Sequence, residues 1–77
     1  MTWQVTGKIT YKHEKAIEVA HKIGKHVPRS RGLGDLLIVS DLPDKTVLMN
    51  HQNCCAKIIP IDDFIDYIVQ NHPEELL

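Results

Sequence analysis

The sequence predicts a single small α+β domain over residues 1–77, in which two amphipathic helices pack on a mixed four-stranded sheet. Three observations lead to this fold class. Apolar and polar residues alternate near the start of the chain, apolar residues recur with a helical period in two longer segments, and three short apolar segments lie between those two. The resulting order is β-α-β-β-β-α. One sheet covered by both helices is the simplest way to bury both apolar helix faces.

The first element is a strand from Trp3 to Ile9. Apolar and polar residues alternate there, which is typical of a half-buried strand, except at Gly7. A glycine inside a strand indicates a bulge or the close approach of another backbone. Trp3 is the largest apolar side chain of the segment, so we expect it in the core.

The second element is a helix that follows Thr10 and ends near His26. Its apolar residues gather on one arc at about 100° per residue; they are Ala16, Val19, Ala20, Ile23 and Val27. The Thr10 hydroxyl is expected to cap the first turn, and Gly24 with Pro28 to end the helix. His13 is expected at the edge of the core, whereas His21 and His26 are expected on the exposed arc.

The middle of the chain predicts a loop and then an antiparallel meander. The loop PRSRGLG carries two arginines, and three short apolar segments follow it, at residues 35–40, 46–49 and 54–59. Short polar connections between them have the lengths of hairpin turns. The segment at residues 35–40 is apolar without alternation, which indicates a central strand covered on both faces.

The last element is an amphipathic helix beginning near Ile61. Apolar residues follow the spacing i, i+3, i+4, i+7, i+8; they are Ile61, Phe64, Ile65, Ile68 and Val69. Two aspartates lie in its first turn, where the positive end of the helix dipole favours negative charge. Pro73 ends the helix because the residue before a proline avoids helical geometry. The tail at residues 73–77 is expected to form one more turn or to fray.

Length and composition restrict the function. A chain of 77 residues buries only about 60% of the surface of its unfolded state, so its core is thin and leaves little room for an enclosed catalytic pocket. Its 43% hydrophobic and 25% charged residues are typical of a folded soluble chain. No apolar run approaches the ~18 residues of a membrane span, and the start lacks a signal-peptide profile. We therefore expect a cytoplasmic protein with reduced cysteines and no membrane partner.

The charges are divided between the two halves of the chain. Residues 1–34 contain seven basic and two acidic residues, a net charge of +5, and residues 35–77 contain two basic and eight acidic residues, a net charge of −6. Such asymmetry indicates a charged partner, or a fold whose two halves neutralise each other. It also allows a homodimer, in which the basic half of one chain meets the acidic half of another.

Two charged surfaces are candidate binding sites. The basic one, on the first helix and the loop, is suited to nucleic-acid phosphates or an acidic protein; it consists of Lys15, Lys22, Lys25, Arg29 and Arg31. The acidic one, on the last helix, is suited to a basic protein surface, with a tyrosine as amphipathic anchor; it consists of Asp62, Asp63, Asp66 and Tyr67. Solvated linker and helix capping are the simpler explanations of the two sets.

The stretch HQNCC is the third candidate. A structural zinc site normally uses two Cys-x₂₋₄-Cys pairs, whereas Cys54 and Cys55 are adjacent and lack a second pair. A cysteine nucleophile needs a base, which His51 could supply, but no orienting group or oxyanion hole is apparent. We expect one thiol in the core and the other near the surface, with no metal, cofactor or catalytic residue.

These observations favour a small non-enzymatic protein that binds another macromolecule. The leading hypothesis is a protein–protein adaptor or inhibitor that uses the acidic helix face together with the basic helix and loop. The first alternative is a nucleic-acid-binding domain that uses the basic residues. The second is a cysteine-dependent or metal-binding protein that uses His51 with Cys54 or Cys55.

Overall fold

The computed structural model describes all residues from Met1 to Leu77. Its strands are β1 (Thr2–Thr6), β2 (Lys25–His26), β3 (Leu36–Val39) and β4 (Lys57–Pro60), and its α-helices are α1 (Glu14–Ile23), α2 (Lys45–Asn53) and α3 (Ile61–Asn71). Short 3₁₀ turns occupy Tyr11–His13, Arg29–Arg31 and Pro73–Leu76. The small α+β domain with one four-stranded sheet packed by helices is therefore confirmed.

The sheet is wholly parallel, so the mixed sheet with an antiparallel meander is wrong. The strand order is β2-β1-β3-β4, and each neighbouring pair is parallel. The cause is the segment at residues 46–49, which belongs to α2 and not to a strand. Because a helix carries the chain from β3 to β4, the two strands run in the same direction. The observed order is β-α-β-β-α-β-α.

Helix α2 forms where three consecutive apolar residues suggested a strand. The Asp44 carboxylate accepts hydrogen bonds from the backbone N–H groups of Thr46 (2.8 Å) and Val47 (3.4 Å), which satisfies donors that a helix start leaves free. Val47 and His51, one turn apart, are the buried residues of this helix. Local capping and burial of one face therefore override the strand preference of the sequence TVLM.

Strand β2 lies where the sequence predicts the last turn of the first helix. Helix α1 ends at Ile23, and Gly24 adopts an extended conformation. A Cβ at Gly24 would lie 2.8 Å from Met1 Cε and 3.1 Å from Trp3 Cδ1, so glycine allows the chain to pass close to β1. The N–H of Lys25 then donates to the Met1 carbonyl at 2.8 Å, which pairs β2 with β1.

The start of α1 also differs from the expected cap. A 3₁₀ turn precedes the helix, and the Thr10 hydroxyl contacts His13 Nδ1 at 3.2 Å without capping a backbone N–H. His13 is buried, and its Nε2 contacts the Asp62 carboxylate at 3.1 Å. The expectation of a satisfied histidine at the edge of the core is confirmed.

The main core lies between the sheet and the pair α1 and α3. Trp3 and Ile38 project from the sheet into this layer, and Phe64 and Ile68 meet them from α3; all four are buried. Because side chains alternate along a strand, the intervening residues such as Leu37 project to the other face, which α2 covers. Helices thus lie on both faces of the sheet.

The tail packs against the domain as one further turn. Glu75, in the 3₁₀ turn Pro73–Leu76, pairs with Lys22 of α1 at 3.5 Å, and Leu77 remains fully exposed. Of the two expected outcomes the extra turn is observed. The longest helix, α3, has 11 residues, and no helix could span a bilayer.

Candidate functional site

A mainly apolar recess of the surface lies between α3 and the beginnings of β3 and β4. It has a volume of about 370 Å³ and is lined by Met1, Asp35, Leu36, Lys57, Ile59, Asp63, Phe64 and Tyr67. We call it the α3 groove. It has an apolar floor with three charged residues among its lining, the usual composition of a surface that recognises another molecule.

Strand register and helix spacing build the α3 groove. The parallel pairing places Leu36 beside Lys57 and Ile38 beside Ile59, so Leu36 and Ile59 belong to the face that α3 covers. Phe64 is buried in the floor, and the Tyr67 ring one turn later lies nearly parallel to it, with ring centroids 6.2 Å apart. Tyr67 keeps 43% of its surface exposed, so its ring can contact a ligand in the groove.

The structure divides the four residues of the predicted acidic face into two rows. Asp63 and Tyr67, four residues apart, line the α3 groove. Asp62 and Asp66 form the neighbouring row, and the Asp62 carboxylate is held against His13 of the adjoining turn. The groove therefore uses one predicted carboxylate together with Asp35, which the sequence did not suggest.

The predicted basic surface is also divided. Three of its five residues lie beside carboxylates: Lys15 Nζ is 3.9 Å from Glu18, Lys22 Nζ is 3.5 Å from Glu75, and Arg29 is 2.7 Å from Asp44. Lys25 and Arg31 make no ion pair and line a second recess beside β2. The basic residues thus do not form one continuous unpaired strip.

His51 and the cysteines do not form a joint site. His51 is completely buried: its Nδ1 lies 2.8 Å from the Val47 carbonyl, and its Nε2 accepts from the Gly34 N–H at 3.3 Å. Since a carbonyl can only accept, Nδ1 carries the proton and the ring is neutral. Both ring nitrogens are occupied, so neither is free to act as a base or a metal ligand.

Both cysteines are exposed, so the expectation of one core thiol is wrong. Cys54 and Cys55 lie in the turn after α2 and not in a strand, and Cys55 has a positive φ of 57°. Adjacent residues in such a turn do not alternate between a core face and a solvent face.

The carboxyl ends of β1 and β3 would ordinarily provide a ligand crevice, because the chain leaves these neighbouring strands toward helices on opposite faces. Here the protein's own groups close it. The Lys8 N–H donates to the Asp41 carbonyl at 2.6 Å, and the Ser40 hydroxyl donates to the Lys8 carbonyl at 2.6 Å. The Asp44 carboxylate occupies the start of α2, where an anionic ligand would otherwise bind.

Asp44 should contribute an acid-sensitive part of the stability. The Thr46 N–H, aided by the Val47 N–H and the Arg29 guanidinium, holds the pKa of the Asp44 carboxyl below its ordinary value of 3.8. The unfolded state therefore binds this proton more readily, and the stabilisation is present above pH 3.8 and lost as the pH falls through the folded-state pKa.

We expect Asp44→Ala to lower the melting temperature at neutral pH, and the difference from the wild type to shrink below pH 3.8. Thermal unfolding followed by circular dichroism across pH measures both effects. Asp44→Asn is the matched control, because asparagine caps helices well but cannot titrate. A difference between wild type and Asp44→Ala that does not change with pH would contradict this assignment.

Comparison with models of known protein families gave no match, and neither did comparison with curated proteins or with solved structures. Sequence reasoning missed most of the α3 groove: Met1, Asp35, Leu36, Lys57 and Ile59 come from three separate segments. The available signals were Asp63 and Tyr67, a carboxylate and an aromatic residue beside the apolar stripe of a helix.

Proposed function

We propose that this chain is a small non-enzymatic protein-binding domain, an adaptor or inhibitor, that docks its partner in the α3 groove. The observation that carries the proposal is the half-exposed Tyr67 ring stacked above buried Phe64 in an apolar recess. Tyrosine is enriched at binding hot spots because it offers a large apolar surface and a polar tip. The proposal needs no cofactor and keeps the cytoplasmic setting expected from the sequence.

The charges of the α3 groove indicate what the partner offers. Asp35 and Asp63 line it, Asp66 lies one turn away on α3, and Lys57 is the one opposing cation. An apolar side chain flanked by lysine or arginine would fill the recess and complement the carboxylates. We therefore propose a basic protein segment with an apolar anchor.

The partner is expected to bind through side chains and not by adding a strand. Strand β4 is the open edge beside the groove and has four residues. The Lys57 N–H points inward to the Asp35 carbonyl, so the outward positions are those of Ile58 and Pro60, and Pro60 has no N–H. Short edges that contain proline resist pairing with another strand.

We expect Tyr67→Ala and Asp63→Lys each to weaken partner capture at least about tenfold, since central interface anchors commonly contribute this much. The measurement is affinity capture from lysate after nuclease treatment, with quantitative mass spectrometry. Asp41→Lys is the charge-matched control, because Asp41 is exposed just beyond the opposite end of β3. Unchanged circular dichroism must accompany the loss.

Equal capture of the partner by Tyr67→Ala, Asp63→Lys and the wild type would refute docking in the α3 groove. Capture of the chain's own sequence would identify a second copy of the chain as the occupant of the groove.

Nucleic-acid binding through the five basic residues remains the alternative. It has weaker support because Lys15, Lys22 and Arg29 lie beside carboxylates. It predicts retention on heparin that falls steeply with salt.

A further inference from the structure

A second recess lies at the other edge of the sheet, beside β2. Its volume is about 410 Å³, and it is lined by Thr2, Lys25, His26, Val27, Pro28 and Arg31. Two of the lining residues, Lys25 and Arg31, are permanent cations, and no carboxylate is among the lining residues. The His26 ring packs on Trp3, with ring centroids 4.7 Å apart, so His26 contributes its backbone to the recess. We call it the β2 recess.

Buried hydrogen bonds hold the wall of the β2 recess. Gln4 is buried, and its Nε2 donates to the carbonyls of Val27 (2.9 Å) and Gly32 (3.0 Å), which bracket the loop that carries Arg31. The Arg31 N–H donates to the Pro28 carbonyl at 2.9 Å and closes a 3₁₀ turn. The loop backbone is therefore fixed before any ligand arrives, which lowers the entropy cost of binding.

The recess also offers donors that the fold leaves free. Lys25 and Val27 direct their N–H groups to Met1 and Trp3 of β1. Because donors alternate along a strand, the intervening His26 N–H points away from the sheet. Neither Lys25 nor Arg31 makes an ion pair. In contrast, Arg29, two residues before Arg31, pairs with Asp44. Asp35, whose N–H donates to Thr2 Oγ1 of the recess wall, lines the α3 groove.

We propose that the β2 recess binds a phosphate monoester group. A monoester carries a charge of about −1.5 to −2 at neutral pH, which the two cations match, and its three oxygens can accept from the guanidinium, the ammonium and the His26 N–H. A polynucleotide instead needs a line of cations, one for each phosphate contact. Lys15 and Lys22, the two α1 lysines of the predicted basic surface, lie beside Glu18 and Glu75 and so do not extend the recess into such a line.

The test is an NMR titration of the ¹⁵N-labelled chain at constant ionic strength, first with inorganic phosphate and then with phenyl phosphate. We expect a saturable shift of the His26 amide signal. Lys25→Gln and Arg31→Gln should each weaken binding about tenfold. Lys15→Gln, a matched change of a lysine that faces Glu18, should have no effect.

Fluorescence of the single tryptophan gives a second readout, because the Trp3 and His26 ring centroids are 4.7 Å apart. The Lys25 and Arg31 side chains are exposed, so the two variants should keep the wild-type circular dichroism.

Absence of a saturable shift, or a shift that survives both substitutions, would overturn the proposal. Tighter binding of a single-stranded oligonucleotide than of phenyl phosphate, weakened by Lys15→Gln, would replace it with nucleic-acid binding. The recess is separate from the α3 groove, so either can fail without the other.

Discussion

Phe64→Ala is expected to lower the free energy of unfolding by about 3–5 kcal/mol, the usual loss when a buried phenylalanine is truncated. Phe64 is completely buried between α3 and the sheet, where it joins Trp3 and Ile38 in the core. A single small core supplies roughly 3–5 kcal/mol of net stability. The variant should therefore be largely unfolded in the absence of stabilising solutes.

Urea unfolding followed by circular dichroism measures this loss. Phe64→Leu is the first control, because leucine refills most of the volume and should cost less. Tyr67→Ala is the second: it removes the ring stacked on Phe64, but that ring is 43% exposed, so less burial is lost. A larger loss for Tyr67→Ala than for Phe64→Ala would show that the core is centred elsewhere.

Gly7→Ala is expected to be the other severe change. Gly7 has φ +107°, where side chains are strained, and an added Cβ would lie 2.7 Å from the backbone oxygens of both Ser40 and Asp41. Those atoms cannot move freely because the Lys8 N–H donates to the Asp41 carbonyl. We expect the link between β1 and the end of β3 to break, with loss of most of the stability.

Gly32→Ala separates the two causes of the expected loss of stability at Gly7, the positive φ and the close contact with the backbone of Ser40 and Asp41. Gly32 has a similar φ of +120°, but nothing lies within 4 Å of its hypothetical Cβ. This variant should lose only the backbone contribution, about 1–3 kcal/mol. Comparison of the two urea midpoints isolates the effect of the close approach at Gly7. Equal losses for both variants would contradict the proposed contact.

The periodic segments near the two ends of the chain were sufficient to predict β1 and α3. Alternation from Trp3 predicted β1, although the strand ends at Thr6 and not at Ile9. The stripe containing Phe64 and Ile68 predicted α3, because both elements bury one face against the same core. Gly7 indicated the close backbone approach that the structure shows. Periodicity reports burial, so it is informative wherever one face of an element is covered and the other is not.

The middle of the chain was harder to predict because local and tertiary effects compete there. Asp44 before Thr46 is a helix-capping signal, yet TVLM also resembles a strand, and only the capping bonds and the burial of Val47 with His51 decide between them. Strand β2 has two residues, too few to show any period. An error in one connection reverses a strand, so the sequence predicts a mixed sheet where the structure has a parallel one.

The two proposed binding surfaces could be predicted only in part. The sequence suggested Asp63 and Tyr67 as part of an acidic helix face, and Lys25 and Arg31 as part of a basic surface. Their grouping required coordinates: ion pairs with Glu18, Glu75 and Asp44 remove three cations from the basic set, and strands β3 and β4 supply the rest of the α3 groove. Pairings between distant segments leave no signature in a single sequence.

Photo-crosslinking from the α3 groove tests the proposed function most directly. A photoreactive phenylalanine analogue would replace Tyr67, and in a control chain Tyr11, which is 89% exposed on the turn before α1. We predict that only the Tyr67 position yields one dominant adduct, on a protein segment in which an apolar residue is flanked by lysine or arginine. The same adducts from both positions, or none from position 67, would contradict a docking site in the α3 groove.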